Sequence, residues 1–479
     1  MLAVYFRRRR VSGTIAFFHP YCNAGGGGER VLWCAIKAMQ QRNASSKQNA
    51  ALKFRIYSGD VDATKEQILL KARQRFNIEI DPKDVDFVFL RLRRLVEADL
   101  YPVFTLLFQI FAGGILAFEA LCRLNPEVMI DSMGYPLSLP VFRFFGGAKV
   151  AAYVHYPVIS SDMIKVVAER RAAFNNADLV AKNPLLASVK LRYYQLLAYL
   201  YGLIGSTADV VMANGTWTAD HISQIWKRKD IEIVFPPCDV ESLLSIESTA
   251  EERLENDSEV QVLSIGQIRP EKNHALQIEI IKLLDDRLKE TGFAIKAKLR
   301  IVGGCRHAED LQRVEQLKAY AQKIGATKLV NWSLNVPYDV LLENLSSSLI
   351  SIHTMWNEHF GISVVEGVAA GTIMVAHNSG GPLMDIVVPA TGNNRVGYLA
   401  ATAQEYADQI LEIIKLSKEE RSAIRERART KSKDFNEELF AQKWLQLVLL
   451  KFGGPHQLKV LNFEISSFAM SPVYDSGVQ

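Results

Sequence analysis

Thr14-Ile-Ala-Phe-Phe-His19 runs into Pro-Tyr-Cys-Asn-Ala, then Gly25-Gly26-Gly27-Gly28-Glu29-Arg30, and Gly27–Gln41 continues with helical periodicity. A short apolar run, a glycine turn and an amphipathic stretch predict a strand feeding a helix. The same rhythm recurs down the chain. Lys53–Ser58, Val85–Leu90, Glu127–Asp131, Lys149–His155, Ala208–Asn214 and Ile231–Phe235 read as strands separated by helical stretches. Strands alternating with helices predict βαβ units and a parallel sheet. Residues 11–240 are therefore expected to form one doubly wound domain.

Pro236-Pro237 and the polar run Glu247–Glu259 read as a linker, after which the rhythm restarts. Val260–Ile265, Leu299–Val302, Leu349–His353 and Thr372–Ala376 read as strands. Asn273–Lys289, Asp310–Ile324 and Ile362–Ala370 read as helices. This predicts a second α/β domain over 258–430. A C-terminal helix, Glu437–Lys451, falls in segment 431–452, and a weakly periodic tail occupies 453–479. The fold class is thus α/β: two Rossmann-like domains facing across a deep cleft. In such sheets ligands bind beyond the carboxyl ends of the strands, so the loops after strands are where chemistry is expected.

With 479 residues, 49% hydrophobic and 23% charged, the chain has the composition of a globular protein of two or three domains. Disordered, collagen-like and coiled-coil classes are excluded. The mean hydropathy of +0.03 excludes a polytopic membrane protein. A net charge of +4 gives no argument for nucleic acid. The five cysteines, Cys22, Cys34, Cys122, Cys238 and Cys305, are odd in number and widely spaced, without CxxC or zinc spacing. This predicts a reducing compartment and no metal site. Asn43, Asn214, Asn331 and Asn344 head formal glycosylation sequons, which mean nothing on a cytosolic protein. Met1–Arg10 lacks the apolar core of a signal peptide.

Three post-strand loops stand out. In the first, Gly25–Gly28 let backbone N–H groups approach an anion at a helix N-terminus. The dinucleotide fingerprint is broken at Arg30 and the P-loop lysine is absent, so by itself the loop reads more readily as a tight turn than as a ligand loop. The second is Ser264-Ile-Gly266-Gln267-Ile-Arg269-Pro-Glu-Lys272-Asn273. Two cations at a helix start run against the dipole rule; they form either a solvated turn or a clamp for a departing diphosphate. The third is His353-Thr-Met-Trp-Asn-Glu358-His359-Phe360-Gly361-Ile362, continuing to Glu366-Gly367. Glu358 in the loop and Glu366 about a turn into the helix can both face the cleft, and N–H groups near Gly361 can meet phosphate or sugar oxygens. The bland reading is a capped helix with two surface carboxylates. Asn378-Ser-Gly380-Gly381-Pro382 is a turn of the same kind. His155, at the end of Tyr153-Val-His-Tyr-Pro157, is either structural or a cleft residue.

Leu100–Phe118 carries no charge, and at about 1.5 Å per residue its 19 residues reach about 28 Å, close to a bilayer core. A crossing there would put the glycine loop and the later loops of one cleft on opposite sides of a membrane. This stretch and the amphipathic Leu185–Ile204 are therefore expected to lie at an interface or partly in the core, with Arg7–Arg10, Arg91, Arg93 and Arg94 facing anionic lipid.

Together these segments resemble the family 4 retaining glycosyltransferases, whose fold is GT-B and whose signature is the Glu-x7-Glu pair matched by Glu358 and Glu366. The likeness spans roughly residues 14–450. His19–Arg30, Asp131-Ser-Met-Gly-Tyr135, Tyr153–Pro157, Arg269–Asn273 and Trp356–Gly367 are similar, more narrowly, to the endoplasmic-reticulum α-1,2-mannosyltransferases of N-glycan precursor assembly. The resemblance implies GDP-mannose as donor and lipid-linked Man3GlcNAc2 and Man4GlcNAc2 on dolichyl diphosphate as acceptors. It implies the cytosolic face of the endoplasmic reticulum membrane, with other mannosyltransferases of the pathway as partners. It assigns Arg269 and Lys272 to the donor diphosphate, Glu358 to the transferred mannose, Glu366 to the ribose and His155 to the sugar near its reacting carbon. Gly25, Gly26, Gly27 and Gly28, with Phe360, Gly361 and Ile362, would line the substrate cleft.

Two departures stand beside it. The commonest family clamp has arginine where this chain has Gln267, and relatives tend to carry an N-terminal membrane anchor that Met1–Arg10 does not resemble. Retention classically needs a carboxylate close beneath the anomeric carbon, and the motifs offer none. A front-face displacement is expected instead, in which the leaving phosphate takes the acceptor proton. Asp60-Val-Asp62 and Asp84-Val-Asp86 mimic a metal-binding Asp-x-Asp but lie away from the donor loops, so no metal and no cofactor is expected. Other readings are a family 4 enzyme with a different sugar or lipid, a non-catalytic scaffold of a glycosylation complex, and a Rossmann oxidoreductase, which the broken fingerprint disfavours.

Overall fold

The computed structural model describes residues 1–45, 52–170, 182–305, 308–388 and 394–452; the predicted tail lies outside them. Two parallel sheets organise the chain. The first holds β1 (Arg10–Phe18), β2 (Lys53–Ser58), β3 (Val85–Phe89), β4 (Asn125–Asp131), β5 (Lys149–Val154), β6 (Val210–Ala213) and β7 (Ile231–Ile233), in the order β3-β2-β1-β4-β5-β6-β7. The second holds β8 (Glu259–Ile265), β9 (Lys296–Gly303), β10 (Val330–Leu334), β11 (Ile350–His353), β12 (Ile373–His377) and β13 (Tyr398–Ala400), in the order β10-β9-β8-β11-β12-β13. β1 is wholly buried from Ile15 to Phe18, and β11 throughout, as strands covered by helices on both faces must be.

Each sheet has one point where the strand order reverses: between β1 and β4 in the first, between β8 and β11 in the second. Connections from these neighbours leave to opposite faces and open a crevice at the carboxyl ends. The glycine loop follows β1, the Arg269–Lys272 turn follows β8 and the Glu358 loop follows β11. The topology thus explains why these three loops, scattered in sequence, share one cleft.

The polar run Glu247–Glu259 is not an open linker. Ala250–Asp257 is a helix with Ala250 and Glu251 buried, and Glu251 pairs with the buried Arg421 at 2.6 Å. A polar run looks like a linker until its long-range partner is known. The C-terminal helix, Glu437–Phe452, returns to the first lobe. Trp444 is fully buried, 6.1 Å from the Phe17 ring and 5.8 Å from that of Tyr153. A buried tryptophan of this kind is worth about 3–5 kcal/mol against alanine. Arg30 and Glu437 form an ion pair at 2.6 Å beside it.

The charge-free stretch begins with an irregular segment, and its helix spans Thr105–Arg123, including Glu119. Ile110, Ala112, Gly113, Leu116, Ala117, Ala120 and Leu121 are buried, whereas Phe108, Phe111 and Ile115 are exposed. Gly113 and Gly114 let it press against Tyr135 and Leu137, each about 3.0 Å from where a Cβ would stand. This helix is apolar and long enough to cross a membrane, yet 39% of its most apolar window is inside the protein.

Candidate functional site

The site is built from the ends of β1, β5, β6, β8 and β11. A cavity of about 690 Å³ is lined from the first lobe by Gly27, Gly28, His155, Tyr156, Asn214 and Pro236. From the second lobe come Gly266, Gln267, Arg269, Lys272, Glu358, His359 and Phe360–Ser363. The lobes meet closely at Gly27, where a Cβ would stand 2.9 Å from Ile362 Cδ1; within the first lobe a Cβ on Gly28 would stand 3.5 Å from His155 Nε2. A side chain at Gly27 would push on the Ile362 methyl of the opposite lobe, whereas one at Gly28 would make only ordinary contact.

Lys272 and Glu358 form a direct ion pair in the cavity wall, and His353 Nε2 lies 3.1 Å from the same carboxylate oxygen. Burial pushes the Glu358 carboxyl up, but Lys272 and His353 outweigh it and hold it well below the usual range. His353 is held neutral mainly by burial, so its Nε2–H donates to Glu358. The Thr354 hydroxyl donates to the Lys272 carbonyl at 2.8 Å and accepts from Gln277 at 2.9 Å, tying the β8 turn to the β11 loop. Arg269 lines the cavity beside Tyr156, whose phenol it acidifies against the upward push of burial.

On the first lobe, His155 Nε2 faces the Ser132 carbonyl at 3.1 Å, and His19 Nδ1 meets the Ser132 hydroxyl at 2.9 Å. A carbonyl accepts only, so His155 carries its proton on Nε2 and keeps Nδ1 as an acceptor. Burial lowers His155 to about 4 and His19 to about 3. Neutral imidazoles therefore form this wall.

A second cavity of about 660 Å³ adjoins the first, sharing Gly266 and Gln267, with Gly25, Arg75, Gly303, Gly304, Asn335 and Tyr338 around it. Glu366 does not line the first cavity. Its carboxyl is raised to about 7 by burial, against Arg30 and Arg75, and it acts on Tyr338 of the second cavity.

The family described as ALG11 mannosyltransferase N-terminus matches residues 12–226, and Glycosyl transferases group 1 matches residues 245–431. The GDP-Man:Man(3)GlcNAc(2)-PP-Dol alpha-1,2-mannosyltransferase of Caenorhabditis elegans is 53% identical, covering 92% of each chain. The Homo sapiens protein of the same name is 48% identical over 91% of this chain and 86% of its own. This chain belongs to that mannosyltransferase family. Among solved structures, a Rickettsia africae glycosyltransferase superposes with a TM-score of 0.59 at 15% identity, covering 92% of this chain and 99% of its own. Sucrose-phosphate synthase from Thermosynechococcus elongatus gives 0.61 at 14% identity, covering 96% and 100%. The fold is GT-B.

Measured against the family resemblance, the structure brings Gly27, Gly28, His155, Arg269, Lys272, Glu358, Phe360, Gly361 and Ile362 around one cavity. Gly25 lines the adjoining cavity instead, and the Gly26 N–H is taken by Glu29 at 2.8 Å. Sequence reasoning gave no role to His353, Tyr156, Asn214 or His359. His353 ends its strand five residues before Glu358, and that spacing was the available signal. Asn214 enters only because β6 lies beside β5. Among the described residues no group of three or more His, Cys, Asp or Glu could hold a metal. Asp60 pairs instead with Arg93, Asp84 with Lys53, and Asp86 with Arg55 and Lys65.

Proposed function

We propose that this chain transfers α-mannose from GDP-mannose to Man3GlcNAc2-PP-dolichol and then to Man4GlcNAc2-PP-dolichol, forming α-1,2 linkages with retention. The 53% identity to the Caenorhabditis elegans protein, across 92% of both chains, carries this reading. Lys272 and Arg269 receive the donor diphosphate and offset the charge that grows on it as the sugar leaves. Glu358, ionised, accepts hydrogen bonds from mannose hydroxyls. His155 contacts the sugar from the first lobe, and Glu366 accepts from ribose hydroxyls beside the second cavity. Displacement occurs on the front face: the acceptor hydroxyl attacks the anomeric carbon, the phosphate oxygen leaves and takes the hydroxyl proton. No metal takes part. Purified protein with GDP-mannose and a lipid-linked Man3GlcNAc2 acceptor should form product, and the rate should survive chelation of divalent ions. Absence of transfer, or its loss on chelation, breaks the reading.

A dolichol-linked acceptor supports a site of action at the endoplasmic reticulum membrane, on its cytosolic face. The first lobe offers the surface. The Thr105–Arg123 helix lies beside Pro184–Gly205, with the Phe104 and Tyr193 rings 5.1 Å apart, and Phe118 meets Phe145 at 6.1 Å. Phe104, Phe108, Phe111, Ile115, Phe144 and Tyr199 are exposed. Arg8 and Arg91 are exposed near the same elements. An apolar face with nearby cations suits partial immersion in an anionic interface. Release from membranes by high salt alone would mean surface adsorption, and retention until detergent is added would mean immersion.

A further inference from the structure

The residue before Glu358 has the left-handed backbone that disfavours side chains: Asn357 stands at φ 51°. Three contacts hold its loop. Its N–H donates to Ser379 Oγ at 2.8 Å, and Glu358 O accepts from the Gly381 N–H at 2.7 Å. The third comes from the other lobe: Asn357 Nδ2 donates to Asp162 Oδ2 at 2.7 Å across 195 residues of sequence. Asp162 sits in the first turn of the helix Ser161–Ala168. Its carboxylate also accepts from His221 Nε2 at 3.3 Å and from Trp217, both on the helix Thr216–Trp226. A carboxylate only accepts, so His221 carries a proton on Nε2 toward Asp162, and Ser161 Oγ meets His221 Nδ1 at 3.0 Å. The carboxylate is thus itself fixed before it reaches Asn357.

The same helix is tied to the second lobe at its start. Gly215 provides no side-chain cap, and Asp385 supplies one from the second lobe, accepting from the Thr216 N–H at 2.9 Å. Between these ties the His359 ring lies 5.3 Å from Tyr156 and 5.0 Å from Trp217. The residues on both sides of Glu358 are therefore gripped by the opposite lobe.

We propose that Asp162 is a positioning residue for Glu358: through Asn357 it sets the loop that presents the carboxylate to the sugar, and does so only while the lobes are together. This rests on the mannosyl-transfer reading. Asp162 does not line the cavity and bonds to Asn357, His221 and Trp217 rather than to Glu358, so its loss should leave donor binding intact and slow the chemical step. A displacement of this loop by about 1 Å should lower kcat about 10- to 100-fold.

The test measures steady-state mannosyl transfer by the full chain carrying Asp162→Ala, Asp162→Asn, Asn357→Gly and the double change Asp162→Ala with Asn357→Gly. Asp162→Ala and Asn357→Gly should each lower kcat, with KM for GDP-mannose within about two-fold of the parent. The double variant should be no slower than the slower single one, because both remove one tie. Asp162→Asn keeps an acceptor for Asn357 and should recover most of kcat. A parent kcat in Asp162→Ala, a loss confined to KM, multiplicative losses in the double variant, or no recovery in Asp162→Asn would each overturn the proposal. If Asp162→Ala does not fold, Asn357→Gly decides, since an undiminished kcat there also overturns it. Failure of the parent chain to transfer mannose at all would instead remove the functional reading beneath.

Discussion

His155, with His19 behind it, forms the first lobe's wall of the cleft, whereas Lys272, Arg269 and Glu358 form the wall of the second. The first wall is made of groups that burial keeps neutral; His155 is lowered to about 4. The second holds formal charges that persist because they are paired, Lys272 against Glu358. Burying a charge is costly without a partner, and the second lobe supplies one before any substrate arrives. The contrast teaches a division of labour. On the proposed reading, one wall manages the charge of a nucleotide diphosphate, and the other presents uncharged acceptors and donors to a sugar and its incoming hydroxyl.

The contrast can be broken most severely at Glu358. Glu358→Ala should abolish mannose transfer while the thermal unfolding profile stays cooperative, because the side chain lies in the cavity wall rather than in an apolar core. Near-normal turnover would remove Glu358 from the second wall's chemistry. Lys272→Met should come next. Loss of one preorganised charge aimed at a leaving group costs about 10²–10³-fold in kcat. It also leaves Glu358 facing only His353, so the carboxyl pKa should rise. Measured kcat within a few-fold of the parent would shift the diphosphate to Arg269 alone.

A milder test concerns Glu366, raised to about 7 by burial. If its carboxylate accepts from the ribose, KM for GDP-mannose should fall as pH rises through about 7, and Glu366→Gln should flatten that dependence. The stability effect has the opposite sign. Between the ordinary carboxyl pKa of 4.5 and about 7 the folded state holds a proton the unfolded state has lost, so this group lowers stability as pH rises.

The smallest effect belongs to the first wall. His19 and His155 are unprotonated when folded but titrate near 6.5 when unfolded, so their share of stability is lost as pH falls from 6.5 toward about 4. Melting temperatures measured across that window should decline, and less steeply in His155→Gln. An unchanged slope would mean that the imidazoles are not desolvated as the structure has them.

Much of this was legible along the chain because the signals are local. Strand, glycine turn and helix follow one another within Thr14–Gln41, and the Glu358–Glu366 spacing lies within a single loop and helix. What escaped depended on distant partners. Ala250–Asp257 read as linker because its acidic residues gain their meaning from Arg421, 170 positions away. The charge-free stretch divides between core and surface as expected, with Tyr135 and Leu137 packed against Gly113 and Gly114, but its helix begins only at Thr105 and runs on to Arg123.

The sequence by itself determined the alternation of strands and helices, the doubling of that unit and the residue types offered at strand ends, since periodicity and glycine placement act over a few residues. Only the tertiary structure decided that the C-terminal helix crosses back to seat Trp444 in the first lobe, that His353 joins Lys272 around Glu358, and that Asp162 reaches Asn357. Those are contacts between segments far apart in the chain. Their closure follows from sheet order and lobe packing, which no local pattern encodes.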